Sequence, residues 1–293
     1  MKKIGIYGQV VKKEDKELFQ SFFQKLEERN LTILVCDTYL QELKSVLDYE
    51  NPNFLSFSKE NGLPADTDLL FTFGGDGTIL SAVTFIKDSC IPIIGVNTGR
   101  LGFLATSQKT EILKELPHIL DGECPISERS ILEVRSTKDP AFLSYAVNEA
   151  AVMRKETTSM ITVNTYVNDV FLNTFWADGL IISTPTGSTG YSLSCGGPII
   201  YPKADIFAIT PIAPHNLNVR PMILKDDAEI RLKIHSRSSQ YSLSVDSSYY
   251  TMNKEDEILI RKADFKIKIV KYKNYSYFEN LRAKLHWGSD ERN

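Results

Sequence analysis

Between residues 15 and 29 the apolar positions Leu18, Phe19, Phe22, Phe23 and Leu26 recur at helical spacing, so the segment is read as a helix with one apolar face. Short apolar runs flank it, 4–7 before and 31–35 after, and each is read as a strand. A helical segment over 38–47 follows, then a polar loop with Asn51-Pro52 and Asn61-Gly62, then the buried strand Leu69-Leu70-Phe71-Thr72-Phe73. Residues 78–87 read as helix and 91–96 as a further continuous apolar run. Strand and helix alternating in this way predict a parallel, doubly wound α/β sheet of Rossmann-like type.

Past about residue 125 closely spaced strands replace that rhythm. Runs at 131–135, 143–153, 160–167, 170–175 and 180–183 succeed one another, and Asn168-Asp169 between two of them reads as a tight hairpin turn. Further runs at 206–212, 229–235, 241–245, 257–260 and 265–270 extend the theme, which predicts a β-rich, sandwich-like second domain. Tyr277, Leu281 and Leu285 at four-residue spacing suggest a terminal helix, followed by a polar, frayed tail over 288–293. The expected division is an α/β domain of residues 1–104 plus 272–293, with a boundary near 101–106, and a β-rich domain of 105–271.

A length of 293 residues agrees with two domains, and 34 Lys and Arg against 37 Asp and Glu leave a net charge of −3. That balance excludes a broad basic stripe for nucleic acid but leaves room for a local anion site. Met1-Lys2-Lys3 and the apolar residues after it imitate a signal peptide, yet the apolar part is short and interrupted by Gly and Gln, which suits a first core strand. No run approaches the length of a membrane span, so a soluble protein is expected. Four cysteines without a CxxC pair and four histidines without a ligand motif point to a reduced cytoplasm and away from structural zinc.

Two stretches carry chemistry. In Phe73-Gly74-Gly75-Asp76-Gly77-Thr78, three glycines surround one carboxylate between a strand and a helix. Such a loop lets backbone N–H groups approach phosphates at a helix N-terminus. Asp76 fits there as a proton acceptor or metal holder, because a carboxylate beside phosphates otherwise costs Coulomb energy. A hairpin turn built on Asp-Gly is the plainer alternative. Residues 178–198 open as a strand and continue as a loop dense in hydroxyls and glycines, with Tyr191 able to stack on a base. A flexible Gly/Ser linker is the alternative, opposed by flanking apolar residues and by Pro185 and Pro198. Neither a P-loop nor a GxGxxG sequence is present.

Together these residues resemble the NAD kinase family, whose members phosphorylate the 2′-hydroxyl of the adenosine ribose of NAD. The resemblance rests on Gly74-Gly75-Asp76-Gly77-Thr78, on Asn97-Thr98-Gly99-Arg100-Leu101-Gly102-Phe103-Leu104, on Asn148-Glu149, on residues 178–198, and on Pro214-His215 leading to Arg220-Pro221. It implies phosphoryl transfer from ATP, or from another donor such as polyphosphate, to NAD, giving NADP. Asp76 matches the family's general base, and Gly74, Gly75, Gly77 and Thr78 would approach the phosphates. Asn148 and Glu149 match the pair that holds the adenosine portion, a role compatible with their place in the 143–153 strand. Asp178, Thr189, Gly190, Tyr191, Ser192, Leu193, Ser194 and Ala213 fall on further dinucleotide-binding positions. Gly190 stands where many members have alanine, Trp176 where relatives differ, and His215 is read as structural. The resemblance also implies an α/β domain, a β-rich domain, a terminal segment returning to the first, and a homo-oligomer, tetramer or dimer. A divalent cation, most simply Mg²⁺, would arrive on the donor's phosphates, with no metal ligand from the protein.

Two other readings stay open at this stage. A kinase of the same glycine-aspartate loop group acting on a lipid would need an apolar acceptor groove. A non-catalytic dinucleotide sensor would have no use for an acid at the phosphate loop.

Overall fold

The computed structural model describes residues 2–47, 54–99, 102–105, 107–155, 159–273 and 275–288. Asn51-Pro52, Arg100, Leu101, Thr106 and tail residues 289–293 lie outside the described residues. The chain divides into two units, Met1–Glu128 with Ile267–Asn293, and Arg129–Lys266.

The first unit opens β1 (Lys3–Gly8), α1 (Lys16–Glu27), β2 (Thr32–Cys36), α2 (Asp37–Val46), β3 (Leu55–Phe57), β4 (Leu69–Gly74), α3 (Asp76–Ile86) and β5 (Ile93–Asn97). It continues through β6 (Ser107–Gln108), α4 (Ile112–Leu120) and β7 (Ile126–Arg129). The apolar stripe of α1 is buried, with Phe22 lying 5.2 Å from Phe71 and Phe19 lying 4.8 Å from Phe73, ring centre to ring centre. Burial of each ring contributes about 2 kcal/mol, which fixes the helix on β4. No element is expected from sequence over 105–125, yet α4 forms there. Ile112, Leu116, Ile119 and Leu120 give it one buried face that outweighs Pro117 in its interior.

The second unit runs β8 (Leu132–Ser136), β9 (Leu143–Ala146), β10 (Glu149–Met153), β11 (Ile161–Val167), β12 (Val170–Ala177) and β13 (Gly179–Ser183). After the single-turn helix α5 (Tyr191–Ser194) come β14 (Ile206–Ile212), β15 (Met222–Lys225), β16 (Ile230–His235), β17 (Gln240–Val245), β18 (Ser248–Asn253) and β19 (Ile258–Lys262). Among the described residues they form two six-stranded sheets, β15-β14-β13-β10-β17-β18 and β12-β11-β16-β19-β8-β9. Leu180, Ile182, Phe207 and Leu243 of one sheet share a single core with Val134, Val163, Leu232 and Ile260 of the other. Asn168 and Asp169 both have positive φ, 50° and 63°, and make the expected two-residue hairpin turn.

The single strand expected over 143–153 is instead two strands in different sheets. β9 pairs with β8 and β10 with β13, and the chain changes sheet at Val147-Asn148.

The chain then returns to the first unit with β20 (Ile267–Val270) and α6 (Tyr277–Leu285). β20 enters the first sheet, whose order is β3-β2-β1-β4-β5-β20-β7 with β6 also on β5. The run 265–270 therefore does not extend the β-rich unit. Ile269 pairs parallel with Ile93, although Lys266 and Lys268 alternate with buried Ile267 and Ile269 in the pattern of a sandwich strand. The observed boundaries differ from those expected for the same reason, since residues 105–128 and 267–271 supply α4, β6, β7 and β20 to the first unit.

Strands β1 to β6 pair in parallel with their neighbours, in the order β3-β2-β1-β4-β5-β6. The order reverses between β1 and β4, and at such a switch ligands bind beyond the carboxyl ends of the strands, here beyond Gly8 and Gly74.

Candidate active site

Gly74 ends β4, Gly75 caps α3, and Asp76 is the first residue of that helix, where a negative charge is favoured by the helix dipole. The three glycines differ in why they are glycine. A Cβ on Gly74 would overlap Thr78 Oγ1, so the loop itself needs a glycine there. Gly75 and Gly77 are exposed, and a Cβ on either would touch nothing. The fold does not ask for glycine at those two positions, whereas a ligand approaching the backbone does. The alternative of an Asp-Gly hairpin is set aside, because the chain passes from a strand directly into a helix.

Asp76 is clasped by three consecutive backbone N–H groups. Phe103 N donates to Oδ2 at 2.8 Å, while Leu104 N and Ala105 N donate to Oδ1 at 3.1 and 2.8 Å. Gly102 permits this approach, since a Cβ there would overlap the carboxylate. Asn97, buried at the end of β5, accepts from Gly99 N at 2.8 Å through Oδ1 and donates to the Ala105 carbonyl at 3.3 Å. One lone pair on Oδ2 is thereby left for a further hydrogen bond. The half-buried carboxylate is oriented before any substrate arrives.

In the second unit, Asp246 repeats the device. No motif in the sequence points to this residue, which follows the 241–245 run. It accepts from Val147 N at 2.7 Å, Asn148 N at 2.8 Å and Glu149 N at 3.1 Å, and so shapes the point where the chain enters β10. Burial pushes the Asp246 carboxyl up to about 6, against the pull of those three N–H groups. Thr184 Oγ1 donates to the Val147 carbonyl at 2.6 Å, and a Cβ on Gly187 would overlap the Asn148 carbonyl.

Glu149 is pushed up to about 7, first by burial and then by the neighbouring Asp246 charge, with the Tyr191 backbone N–H opposing. Its Oε2 is buried without a partner. Gly190 lies against this oxygen, for a Cβ there would stand 3.1 Å from it. An unpaired buried carboxylate oxygen is costly unless a ligand hydroxyl completes it.

Glu149 pairs with Ser183 and Met153 with Gly179. Asn148-Glu149 and Asp178 therefore lie at opposite ends of the β10–β13 pair, roughly 15 Å apart at strand rise. Tyr191 spans much of that distance, its N–H toward Glu149 and its hydroxyl 4.0 Å from Met153 Sδ. At the far end Arg154 Nε meets Asp178 Oδ1 at 3.0 Å, and Asp178 N donates to the Ile212 carbonyl at 3.0 Å, next to Ala213. Ala213 itself has φ of 43°. Thr189 directs its hydroxyl to the Thr186 carbonyl, Ser192 is buried with its hydroxyl 2.9 Å from Thr210 Oγ1, Leu193 is half-buried, and Ser194 is exposed. The Trp176 and His215 rings lie 4.5 Å apart, tilted by 30°, and His215 N donates to the Trp176 carbonyl.

No group of three or more His, Cys, Asp or Glu stands close enough to hold a metal ion among the described residues.

A fixed carboxylate among exposed glycines at the end of a parallel strand is an arrangement able to take a hydroxyl proton in phosphoryl transfer, and related proteins give the class as a phosphotransferase. Two family models match, described as the ATP-NAD kinase N-terminal domain over residues 4–124 and the ATP-NAD kinase C-terminal domain over 147–272. An NAD kinase of Christiangramia forsetii is 47% identical, covering 99% of this chain and 100% of its own. One of Cytophaga hutchinsonii is 41% identical, covering 99% of each. The crystal structure of yeast NADH kinase complexed with NADH superposes with a TM-score of 0.88 at 26% identity, over 99% of this chain and 89% of that one. An Archaeoglobus fulgidus NAD kinase in complex with ATP gives 0.74 at 25%, over 97% and 98%. The chain belongs to the NAD kinase family.

Proposed function

We infer that the protein transfers the γ-phosphoryl group of ATP to the 2′-hydroxyl of the adenosine ribose of NAD, giving NADP and ADP. The observation that carries this reading is the Asp76 carboxylate, immobilised by three N–H groups with a lone pair of Oδ2 left over. As the O–P bond forms and the bond to ADP breaks, the hydroxyl proton passes to Asp76, a contribution of about 10² to 10⁴ in rate. Exposed N–H groups of Gly75 and Gly77, at the start of α3, meet phosphate oxygens. Asn148 and Glu149 take the adenosine portion, with Glu149 Oε2 accepting a ribose hydroxyl, and the exposed Tyr191 ring offers a stacking face. Asp178 and Ala213 lie at the other end of the same strip, where the rest of the dinucleotide extends.

The donor enters as its divalent-cation complex, most simply with Mg²⁺, which neutralises charge on the phosphates; no residue here is assigned to the ion. The protein works in the cytoplasm, a reading supported by four free cysteines, and no described helix is long and apolar enough to cross a membrane. It assembles as a homo-oligomer, tetramer or dimer. Exposed Val170 and Phe171 on β12 and Met222 and Ile223 on β15, both edge strands, support that assembly.

The test is incubation of the purified protein with NAD, ATP and Mg²⁺, followed by enzymatic detection of NADP. Stoichiometric NADP and ADP are expected. NAD binding without turnover, with ATP or with polyphosphate, would instead indicate a sensor.

A further inference from the structure

The clasp around Asp76 is made of peptide N–H groups, and a peptide group has a second end. In a trans peptide the C=O of one residue and the N–H of the next share a rigid plane and point in opposite directions. The carbonyl of Gly102 belongs to the same plane as the N–H of Phe103, which donates to Asp76 Oδ2. That carbonyl accepts a hydrogen bond from Asn280 Nδ2 of α6 at 3.1 Å. The carbonyl of Leu104 shares its plane with the N–H of Ala105, which donates to Oδ1. It accepts from Lys271 Nζ, just after β20, at 3.0 Å.

Both donors are enclosed. Lys271 is 3% exposed and Asn280 6%. The Lys271 ammonium also lies 4.7 Å from the centre of the Tyr275 ring. Asn280 Oδ1 is itself buried without a partner, a cost that the bond donated by its Nδ2 offsets. A hydrogen bond at the carbonyl end also polarises the peptide and strengthens donation from its N–H end.

We propose that Lys271 and Asn280 are positioning residues for the phosphoryl transfer, fixing through two peptide planes the N–H groups that hold Asp76. The proposal rests on the reading of Asp76 as general base. It makes the chain's C-terminal segment part of the catalytic apparatus, acting through the 102–105 loop without touching a substrate.

The experiment compares Lys271→Met and Asn280→Ala with the unaltered protein and repeats each in the Asp76→Asn background. Each single substitution is expected to lower kcat about tenfold, while KM for NAD stays within about twofold. In the Asp76→Asn background the same substitutions are expected to leave the residual kcat unchanged within about twofold, because their effect passes through the missing carboxylate. Lys271→Arg, which keeps a charged donor, is expected to recover most of the loss. Asn280→Ala is the milder change and keeps the test readable if Lys271→Met does not fold. Unchanged kcat in the single variants, or an equal loss with and without Asp76, overturns the proposal. Failure of the underlying reading looks different, since Asp76→Asn would then itself retain turnover.

Discussion

Two aspartates, Asp76 in the first unit and Asp246 in the second, each gather three consecutive backbone N–H groups, from residues 103–105 and from 147–149. Their surroundings separate them. Asp76 begins a helix, is half-buried beside exposed Gly75 and Gly77, and keeps one lone pair on Oδ2 beyond its three accepted bonds. Asp246 sits in the two-residue turn between β17 and β18, has φ of 48°, and is pushed up to about 6 by burial. On the proposed reading, the same clasp serves chemistry at half-buried Asp76 and shape at the desolvated Asp246. At Asp246 its product is the placement of Asn148 and Glu149.

That comparison is sharpened most by removing the buried member. Asp246→Ala leaves three N–H groups without their acceptor and is expected to destabilise the protein by about 3 kcal/mol, measured by urea unfolding. KM for NAD should rise as well, because Asn148 and Glu149 lose their anchor. An intact urea midpoint would show that water replaces the carboxylate at little cost.

Gly102→Ala perturbs the exposed clasp without altering its carboxylate. The added methyl displaces Asp76, and kcat is expected to fall about tenfold to a hundredfold with folding retained, as read by steady-state kinetics and circular dichroism. A kcat within twofold of the original would mean that the orientation of Asp76 is not set by this loop.

The third effect depends on pH. The Glu149 carboxyl stands at about 7 in the folded protein against an ordinary 4.5, so between those values the folded state binds more protons than the unfolded one. Stability of the ligand-free protein therefore falls as pH rises from 4.5 through 7, by on the order of 3 kcal/mol at most from this group. A ribose hydroxyl is best accepted by the ionised form, so dinucleotide affinity should strengthen over the same interval. Glu149→Gln is expected to flatten both trends, leaving the Asp246 contribution at lower pH. Thermal midpoints and calorimetric titrations across pH 5 to 8 check this; parallel curves for the two proteins would contradict the assignment.

Gly190→Ala should do least. Its methyl would stand 3.1 Å from Glu149 Oε2, so the carboxylate at the end of that side chain must give by only a few tenths of an ångström. A change in KM for NAD of less than about threefold is expected, and a larger one would mean that Glu149 is rigidly set.

The parts legible in sequence are those written in neighbouring residues. The α1 stripe, the Asn168-Asp169 turn and the strand–glycine loop–helix succession all have local signatures, and each corresponds to an observed element. The change of sheet at Val147-Asn148 has none, because apolar alternation continues through it. β20 has the same isoleucine-rich composition as a sandwich strand, and only its partner, Ile93 of β5, shows that it belongs to the first sheet. α4 holds Pro117 in its interior, and its stability comes from tertiary burial of Ile112, Leu116, Ile119 and Leu120. At the site, Asp76 was recognisable by the glycines around it, whereas Asp246 is joined to residues nearly 100 positions away and Asn280 to one 178 away. Contacts of that range leave no periodicity to read.

The central claim is that one clasped aspartate performs chemistry and the other builds shape, and the substitution that isolates it is Asp76→Asn. An asparagine can keep its oxygen on the Leu104 and Ala105 N–H groups, so the fold and NAD binding should persist, while the proton acceptor is lost. Steady-state NADP formation is predicted to show kcat reduced by about 10² or more, with KM for NAD within about threefold and the thermal midpoint nearly unchanged. Near-normal turnover in that variant, or loss of activity explained by unfolding, would contradict the account.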